Sequence, residues 1–272
     1  MTSRLQRINK ILYNTSIYAQ QSQYDDNILS IILKPTHFPK SKAILEEQPI
    51  IFVPTIGFCQ SCGRPSMIFC NKCNHGWCSI TCKDQDCFKH FMLCQLERGI
   101  ADLVFYILKT SFRQLVISKS INNAIMVSLE LFGQYTKPQN LLRPYNLEMI
   151  LERFTDFQTL FNKFENDFYI DSDLSQLKKR IFSDELIQYI YSIYMTRKIP
   201  IMNDNQQMIG DGLYQISSMI NHNCRATSKI SFDNLKIQLY RVVDNGNLTL
   251  DFKNRGDLKS QGIECFCEDC QE

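Results

Sequence analysis

From about residue 93 onward, apolar residues recur every three or four positions, which is the spacing of one buried helix face. The first run consists of Leu93, Leu96, Ile100, Leu103, Val104 and Ile107. The same spacing continues through residues 147–168 and 184–195. These segments predict helices, and their aromatic residues are expected to belong to the core.

Short apolar runs on either side of this helical region predict strands. Two lie before it, at residues 28–33 and 48–53, and three lie after it, at residues 228–232, 237–243 and 247–252. Separate groups of short strands and helices indicate the α+β class.

The first 24 residues form an N-terminal extension that can be interpreted in two ways. Its only charged side chains are basic: Arg4, Arg7 and Lys10. Four apolar residues can form one side of a short helix: Leu5, Ile8, Ile11 and Leu12. A basic, acid-free amphipathic segment is typical of mitochondrial targeting, but a solvated helix or tail of the mature protein has the same composition. A mitochondrial and a cytoplasmic or nuclear location therefore both stay open.

Bulk composition excludes several classes of function. The chain has 272 residues, is 44% hydrophobic and 21% charged, and carries a formal net charge of +2. These values are typical of a globular protein, and the near balance of charge argues against nucleic-acid binding by a broad basic face. Since no apolar run approaches the length of about 18 residues that spans a bilayer, no transmembrane segment is expected.

The twelve cysteines are grouped along the chain. Eight lie within residues 59–94, one is Cys224, and three lie within residues 265–270. A secreted disulfide scaffold is shorter and begins with an apolar signal segment, which this chain lacks. C-x2-C pairs beside a histidine instead indicate metal ligands kept reduced in an intracellular compartment.

The larger group offers eight ligands at regular spacing, C-x2-C-x7-C-x2-C-x4-C-x3-C-x7-H-x3-C. The ligands are Cys59, Cys62, Cys70, Cys73, Cys78, Cys82, His90 and Cys94. Zinc takes four such ligands in a tetrahedron, so eight suit two ions. The segment has little apolar content, and zinc is expected to supply most of its folding free energy, about 10 kcal/mol per site. Cys87 and His75 fall outside the pattern, as a spare thiol and a turn residue.

The spacing resembles that of the MYND zinc finger at every ligand. This resemblance implies interleaved pairing, with one ion on Cys59, Cys62, Cys78 and Cys82. The second ion would be bound by Cys70, Cys73, His90 and Cys94. MYND fingers generally bind short peptide segments, so the resemblance also implies protein partners.

The C-terminal cysteines Cys265, Cys267 and Cys270 are one thiolate short of a closed zinc site. Cys224, which on its own could be a buried apolar thiol, is the natural fourth ligand. Residues 210–224, GDGLYQISSMINHNC, look like the segment of SET-domain lysine methyltransferases that ends in Asn-His-x-Cys, and residues 265–270, CFCEDC, look like their post-SET motif. Residues 37–55 look like the early SET strands. In this resemblance the four cysteines bind a third zinc ion.

The order of these motifs is that of the SET–MYND family, over residues from about 30 to 272. The resemblance implies an α+β fold of small SET-type sheets, with a MYND finger, a large helical insert and a post-SET zinc site. The predicted divisions are residues 1–24 as extension, 25–55 as SET N-terminal strands, 56–95 as finger, 96–200 as helical insert, 201–254 as SET core and 255–272 as post-SET segment.

The catalytic positions that the resemblance implies are largely altered. SET enzymes carry a Gly-x-Gly loop before the early strands, but the first glycine here is Gly57. Two tyrosine hydroxyls normally serve the reaction, and Phe252 and Gln261 occupy those positions. Loss of a transition-state hydrogen bond costs about 10²- to 10³-fold in rate. Asn221 and His222, which line the cofactor in the family, are retained, although they can also serve only to position Cys224.

Two functions follow from this pattern. The first is a catalytically degenerate SET–MYND protein, a zinc-stabilised interaction or structural subunit of a larger complex, with no catalytic residues and three zinc ions. The alternative is an active protein-lysine methyltransferase dependent on S-adenosylmethionine, whose binding the altered positions leave in doubt.

Overall fold

The computed structural model describes residues 4–21, 29–34, 42–94, 99, 102–103, 106–107, 110–111, 120, 122, 125, 176, 180, 183–222, 226–242 and 248–250. Within this part, the helices with defined bounds are α1 (Arg4–Ile11), α2 (Ile80–Leu93) and α3 (Asp184–Arg197). A short 3-10 helix covers Ser217–Met219. None of the described helices is long and apolar enough to cross a membrane.

The described strands are short. They are β1 (Ile17–Gln21), β2 (Leu29–Leu33), β3 (Leu45–Glu47), β4 (Ile51–Pro54), β5 (Ile68–Phe69), β6 (Gly76–Trp77), β7 (Ile199–Met202), β8 (Met208–Leu213), β9 (Asn221–His222), β10 (Ser228–Asp233), β11 (Lys236–Arg241) and β12 (Thr249–Leu250). Helices mixed with small, mainly antiparallel sheets confirm the α+β class.

The five predicted strands are confirmed as β2, β4, β10, β11 and β12, and the predicted helix at residues 184–195 is confirmed as α3. Strands β1, β7 and β8 were not predicted. β7 starts at Ile199, so the division placed between residues 200 and 201 falls inside a strand. The helix predicted over residues 147–168 lies outside the described residues.

The described residues include two three-stranded antiparallel sheets. One has the order β10-β11-β3 and the other the order β4-β8-β7. A parallel pair, β9 with β12, joins Asn221 to Thr249 and His222 to Leu250. The β10–β11 hairpin lies between these two strands in sequence, so the chain returns beside the Asn221–His222 segment after the hairpin.

The N-terminal segment packs into the first core. The buried residues of this core are Ile8, Leu12, Ile17, Ala19, Ile31, Leu33, Ile44, Leu45, Ile216, Met219, Ile220, Leu239 and Leu248. Helix α1 buries Ile8 in this core, while Ile11, also on the predicted apolar side, is 46% exposed. The Asn9 side-chain amide accepts from the Ala19 N–H (2.7 Å) and donates to the Ala19 carbonyl (2.9 Å). Residues 4–21 are therefore built into the fold and are not a solvated tail.

The second core lies between the two sheets. Its buried residues are Phe52, Ile199, Ile201, Ile209, Tyr214 and Ile237. Gly210 lets β8 approach β4 closely, since a Cβ there would lie 2.5 Å from the Val53 carbonyl oxygen. The Gly210-x-Gly212 motif thus has a packing role within a sheet.

A buried carboxylate fixes the turn that leads into β9. Glu47, at the end of β3, accepts hydrogen bonds from the backbone N–H groups of Ile216 (2.8 Å) and Ser217 (3.0 Å). The Ser217 hydroxyl donates to it as well, at 2.9 Å. These bonds tie the 3-10 helix before Asn221 to the β10-β11-β3 sheet.

Candidate metal centre

Two turns of the same form present the first four thiols of the finger. In each turn, the N–H of the first cysteine donates to the carbonyl five residues later in the chain. These bonds join Cys59 to Arg64 (2.7 Å) and Cys70 to His75 (2.8 Å). The residue four positions after that cysteine donates its N–H to the carbonyl of the same cysteine. This residue is Gly63 in the first turn and Asn74 in the second, and both have positive φ, +72° and +58°. Glycine and asparagine tolerate this conformation best, so the local sequence specifies both turns. His75 serves as a turn residue, as predicted.

Helix α2 presents the remaining ligands. Ser79 is its N-cap and accepts from the Cys82 N–H at 3.2 Å, which starts the helix directly after Cys78. The ligands on this helix are separated by multiples of four residues: His90 follows Cys82 by eight residues, and Cys94, at the C-cap, follows His90 by four. Residues spaced by four lie along one side of a helix, so both ligand groups draw on a single stripe of α2.

The structure brings the eight ligand atoms into two groups. Group one contains Cys59, Cys62, Cys78 and Cys82, and group two contains Cys70, Cys73, His90 and Cys94. Within each group, all ligand atoms lie within 4.8 Å of one another. This division is the interleaved one that the MYND resemblance implies. Cys87 is exposed and belongs to neither group.

The separations within the groups fit a tetrahedral zinc site. A Zn–S bond of about 2.3 Å places the sulfurs of a tetrahedron about 3.8 Å apart. In group one, Cys62 Sγ lies 3.5 Å from Cys78 Sγ and 3.9 Å from Cys82 Sγ. In group two, Cys70 Sγ lies 3.9 Å from Cys94 Sγ, and Cys73 Sγ lies 3.8 Å from His90 Nε2. Both groups can therefore hold a metal ion with little rearrangement.

One thiol in each group is favoured to ionise first. Burial opposes ionisation of Cys59, but the backbone N–H groups of Cys78, Ser61 and Cys62 outweigh it and lower its pKa to about 7. Burial likewise opposes ionisation of Cys70, whose pKa is lowered to about 6 by the Lys72 N–H and the His90 ring. The thiolate is the form that binds metal, so each group has one ligand ready near neutral pH.

A neighbouring thiol in each group is held protonated. Burial, with the adjacent thiols of Cys78 and Cys59, raises the pKa of Cys62 to about 12. Burial and the thiols of Cys73 and Cys70 raise the pKa of Cys94 to about 12. Because a second thiolate is opposed by the first, a divalent cation is the natural means of bringing four such ligands together.

A single aromatic side chain orients the histidine of group two. The Trp77 ring meets the His90 ring edge to face, with centroids 4.7 Å apart and an interplanar angle of 79°. Trp77 is 2% exposed, and its indole N–H donates to Asp86 Oδ2 at 3.1 Å. Neither Trp77 nor Asp86 was predicted from the sequence as part of the site. The available signal was the position of Asp86, four residues after Cys82 and four before His90 on the ligand stripe.

The finger borders the core across a cleft of about 580 Å³. Residues 56–65 of the finger form one wall, and residues of the 202–209 turn together with Phe232 and Asn234 form the other. Cys62 is among the lining residues. Group one therefore lies beside the core.

The remaining predicted site residues are only partly described. The backbones of Asn221 and His222 form β9, next to β12. Cys224, Cys265, Cys267 and Cys270 lie outside the described residues, and so do Phe252 and Gln261. The third zinc site and the altered catalytic positions therefore stay predictions.

Comparison with known proteins adds no family: the chain matches no protein-family model and no curated protein significantly.

Proposed function

We propose that the protein is a catalytically degenerate SET–MYND protein, in which a zinc-stabilised finger serves protein interaction or a structural role within a larger complex. The observation that carries the proposal is the contrast between complete ligand groups and altered catalytic positions. Two sets of four ligand atoms are already assembled. The sequence, by contrast, has no glycine before Gly57 and carries Phe252 and Gln261 where the family has tyrosine.

The donor set favours zinc in a structural role. Group one offers four thiols, and group two offers three thiols and an imidazole. Zinc sites that keep an open position for water generally have three protein ligands, whereas four protein ligands close the site. The finger's strands are only two residues long, so bound zinc would supply much of its stability. All eight described cysteines are free, which fits a reducing compartment, mitochondrial or cytoplasmic and nuclear.

The surface of the finger supports an interaction role. Five of its large apolar side chains are at least half exposed: Ile56 (83%), Met67 (77%), Ile80 (69%), Phe91 (61%) and Phe69 (50%). Exposed apolar side chains are typical of contact surfaces for other proteins where they form one contiguous patch. The chain's net charge of +2 does not favour nucleic acid as the partner.

The alternative is an active lysine methyltransferase dependent on S-adenosylmethionine. The observation that favours it is the parallel pairing of β9 with β12. This pairing brings the Asn221–His222 segment beside the strand that precedes Phe252, so two of the positions that the resemblance assigns to cofactor and catalysis come from adjacent strands.

Calorimetric titration of the zinc-loaded chain with S-adenosylmethionine separates the two functions. We expect no binding by the wild type or by Phe252→Tyr, and no methyl transfer to protein substrates. Asn221→Ala is the control, because the alternative predicts wild-type binding that this variant loses. Methyl transfer by the unmodified chain would overturn the proposal.

A further inference from the structure

A buried polar contact extends from group two towards the helical region. Asp86 lies between the two ligand groups on the stripe of α2 and is 5% exposed. One of its oxygens, Oδ2, accepts from the Trp77 indole. The other, Oδ1, lies 3.4 Å from Lys89 Nζ. The carboxylate therefore holds the ring that orients His90 and also faces a cation one turn further along the helix.

Lys89 joins the finger to the next helical segment. Its Nζ lies 3.4 Å from Asp102 Oδ1 as well as from Asp86 Oδ1, and both carboxylates are 4% exposed. Removing a cation that two buried carboxylates share leaves both negative charges uncompensated, which is strongly destabilising. Asp102 is followed by Leu103 and Ile107, which are both fully buried.

The same helical segment is packed on α3. Gly99 lies directly beneath the Tyr194 ring, and a Cβ at this position would overlap that ring. The Tyr194 hydroxyl lies 3.5 Å from Asp211 Oδ2 in β8, and Lys198 Nζ lies 3.0 Å from the same oxygen. Packed and charged contacts therefore run from group two through α3 to the β4-β8-β7 sheet.

We propose that Trp77, Asp86 and Lys89 are positioning residues through which metal in group two orders α3 and the described helical residues 99, 102–103, 106–107 and 110–111. Bound metal fixes His90, His90 fixes the Trp77 ring, and the Asp86–Lys89–Asp102 contact holds the helical segment against the finger. This regulation rests on the proposed zinc binding by the finger. Group one borders the core through Cys62, whereas the ring contact with Trp77 comes from His90 of group two, so removing the metal of group one should affect these helices less.

Hydrogen exchange of the full chain, followed by mass spectrometry, tests the proposal. Peptides covering residues 99–111 and 184–197 are compared with zinc bound and after chelation. We expect chelation to raise exchange in both peptides. Lys89→Met should raise it with two zinc ions still bound to the finger, whereas Lys83→Met, an exposed lysine on the same helix, should match the wild type. Unchanged exchange in both peptides after chelation would overturn the proposal.

Two further variants keep the test decisive if Lys89→Met does not fold. Gly99→Ala breaks the far end of the contact path, and it should raise exchange in both peptides while exchange within residues 59–94 stays at the wild-type level. Trp77→Phe keeps an aromatic ring but removes the indole N–H. It should weaken zinc binding by group two about 10- to 100-fold and weaken binding by group one less, because outer partners of a ligating histidine tune metal affinity by that factor. Equal zinc loss from both groups would contradict a positioning role.

Failure of this proposal can be distinguished from failure of the proposed function. A wild-type chain that binds no zinc at the finger contradicts the zinc-stabilised function itself. A chain that binds zinc at both groups, but whose two helical peptides exchange hydrogen at the same rate with and without the metal, contradicts only the positioning role of Trp77, Asp86 and Lys89.

Discussion

Replacing Glu47 by glutamine tests whether one buried carboxylate holds the turn before β9. The carboxylate accepts from three donors, the N–H groups of Ile216 and Ser217 and the Ser217 hydroxyl, at 2.8–3.0 Å. Glutamine has nearly the same size, but it exchanges one acceptor oxygen for an NH₂ donor. One of the three donors must then face another donor inside the protein, where Ile216 is 3% exposed and Ser217 is fully buried.

The magnitude follows from two opposing effects. A hydrogen bond to a charged acceptor contributes about 1.5–3 kcal/mol, and its loss leaves a buried donor unsatisfied. Burial nevertheless raises the pKa of Glu47, because desolvation outweighs the donors from Ser217 and Ile216. Replacing the charged side chain by a neutral one therefore removes part of the desolvation cost that the folded state bears. The net loss for Glu47→Gln is about 1–2 kcal/mol, which lowers Tm by roughly 2–8 °C in a chain of this size.

The assay is thermal unfolding of the zinc-loaded chain, with Glu46→Gln as the matched control. Glu46 precedes Glu47 directly but is exposed, and its carboxylate accepts from the Lys236 and Gln238 side chains at the surface, so its variant should unfold like the wild type. A raised folded-state pKa adds stability as the group is protonated, so the gap between wild type and Glu47→Gln should widen as pH falls from neutral towards 4.5. Equal Tm values for the two variants, or a gap that closes on acidification, would refute this reasoning.

Three further predictions concern the glycines, the N-terminal segment and the thiols. Gly63→Ala should lower Tm more than Gly57→Ala: both residues have positive φ, but a Cβ at Gly63 would lie 2.9 Å from Leu235 Cδ2, whereas one at Gly57 meets nothing within 4 Å. An equal decrease in Tm for the two variants would contradict steric crowding at Gly63. Asn9→Asp should destabilise the chain at neutral pH, since a carboxylate replaces the donor to the Ala19 carbonyl, and should recover in acid as the carboxyl is protonated; thermal melts across pH check this, and a loss that grows in acid would contradict it. Zinc binding should weaken as pH falls, because the thiols of Cys62 and Cys94, with pKa values of about 12, release their protons on binding. Cys62 and Cys94 belong to different groups, so the one proton that each releases changes the apparent affinity of its own group about 10-fold per pH unit. A chelator competition whose result does not change with pH would contradict this proton release.

The finger was the part of the site best predicted from sequence. Ligand spacing constrains a zinc site directly, since each C-x2-C turn or four-residue helical step places two ligands together. The structure accordingly assembles the same eight residues into two groups of four. Trp77 and Asp86 were missed because their contact depends on how the β5–β6 hairpin packs on α2, which no local spacing encodes.

One of the strands that were missed has a sequence untypical of strands. The β8 strand contains Gly210, Asp211 and Gly212, residues that are depleted in strands. It forms because the glycines allow close packing on β4 and because Lys198 pairs with Asp211. The burial of residues 4–21 was equally hidden, since a short amphipathic helix has the same pattern whether its apolar side faces a core or another surface.

The most direct test of the zinc-stabilised, interleaved finger is ¹¹³Cd NMR of the cadmium-loaded chain. The wild type should give resonances for four-sulfur and for three-sulfur, one-nitrogen coordination, with a further four-sulfur resonance from the predicted site of Cys224, Cys265, Cys267 and Cys270. Cys78→Ser should abolish one four-sulfur resonance and keep the three-sulfur, one-nitrogen resonance, because Cys78 lies in group one while His90 lies in group two. Cys87→Ser, the exposed control, should keep every resonance. Loss of the three-sulfur, one-nitrogen resonance in Cys78→Ser, or a wild type that binds no cadmium at the finger, would contradict the account.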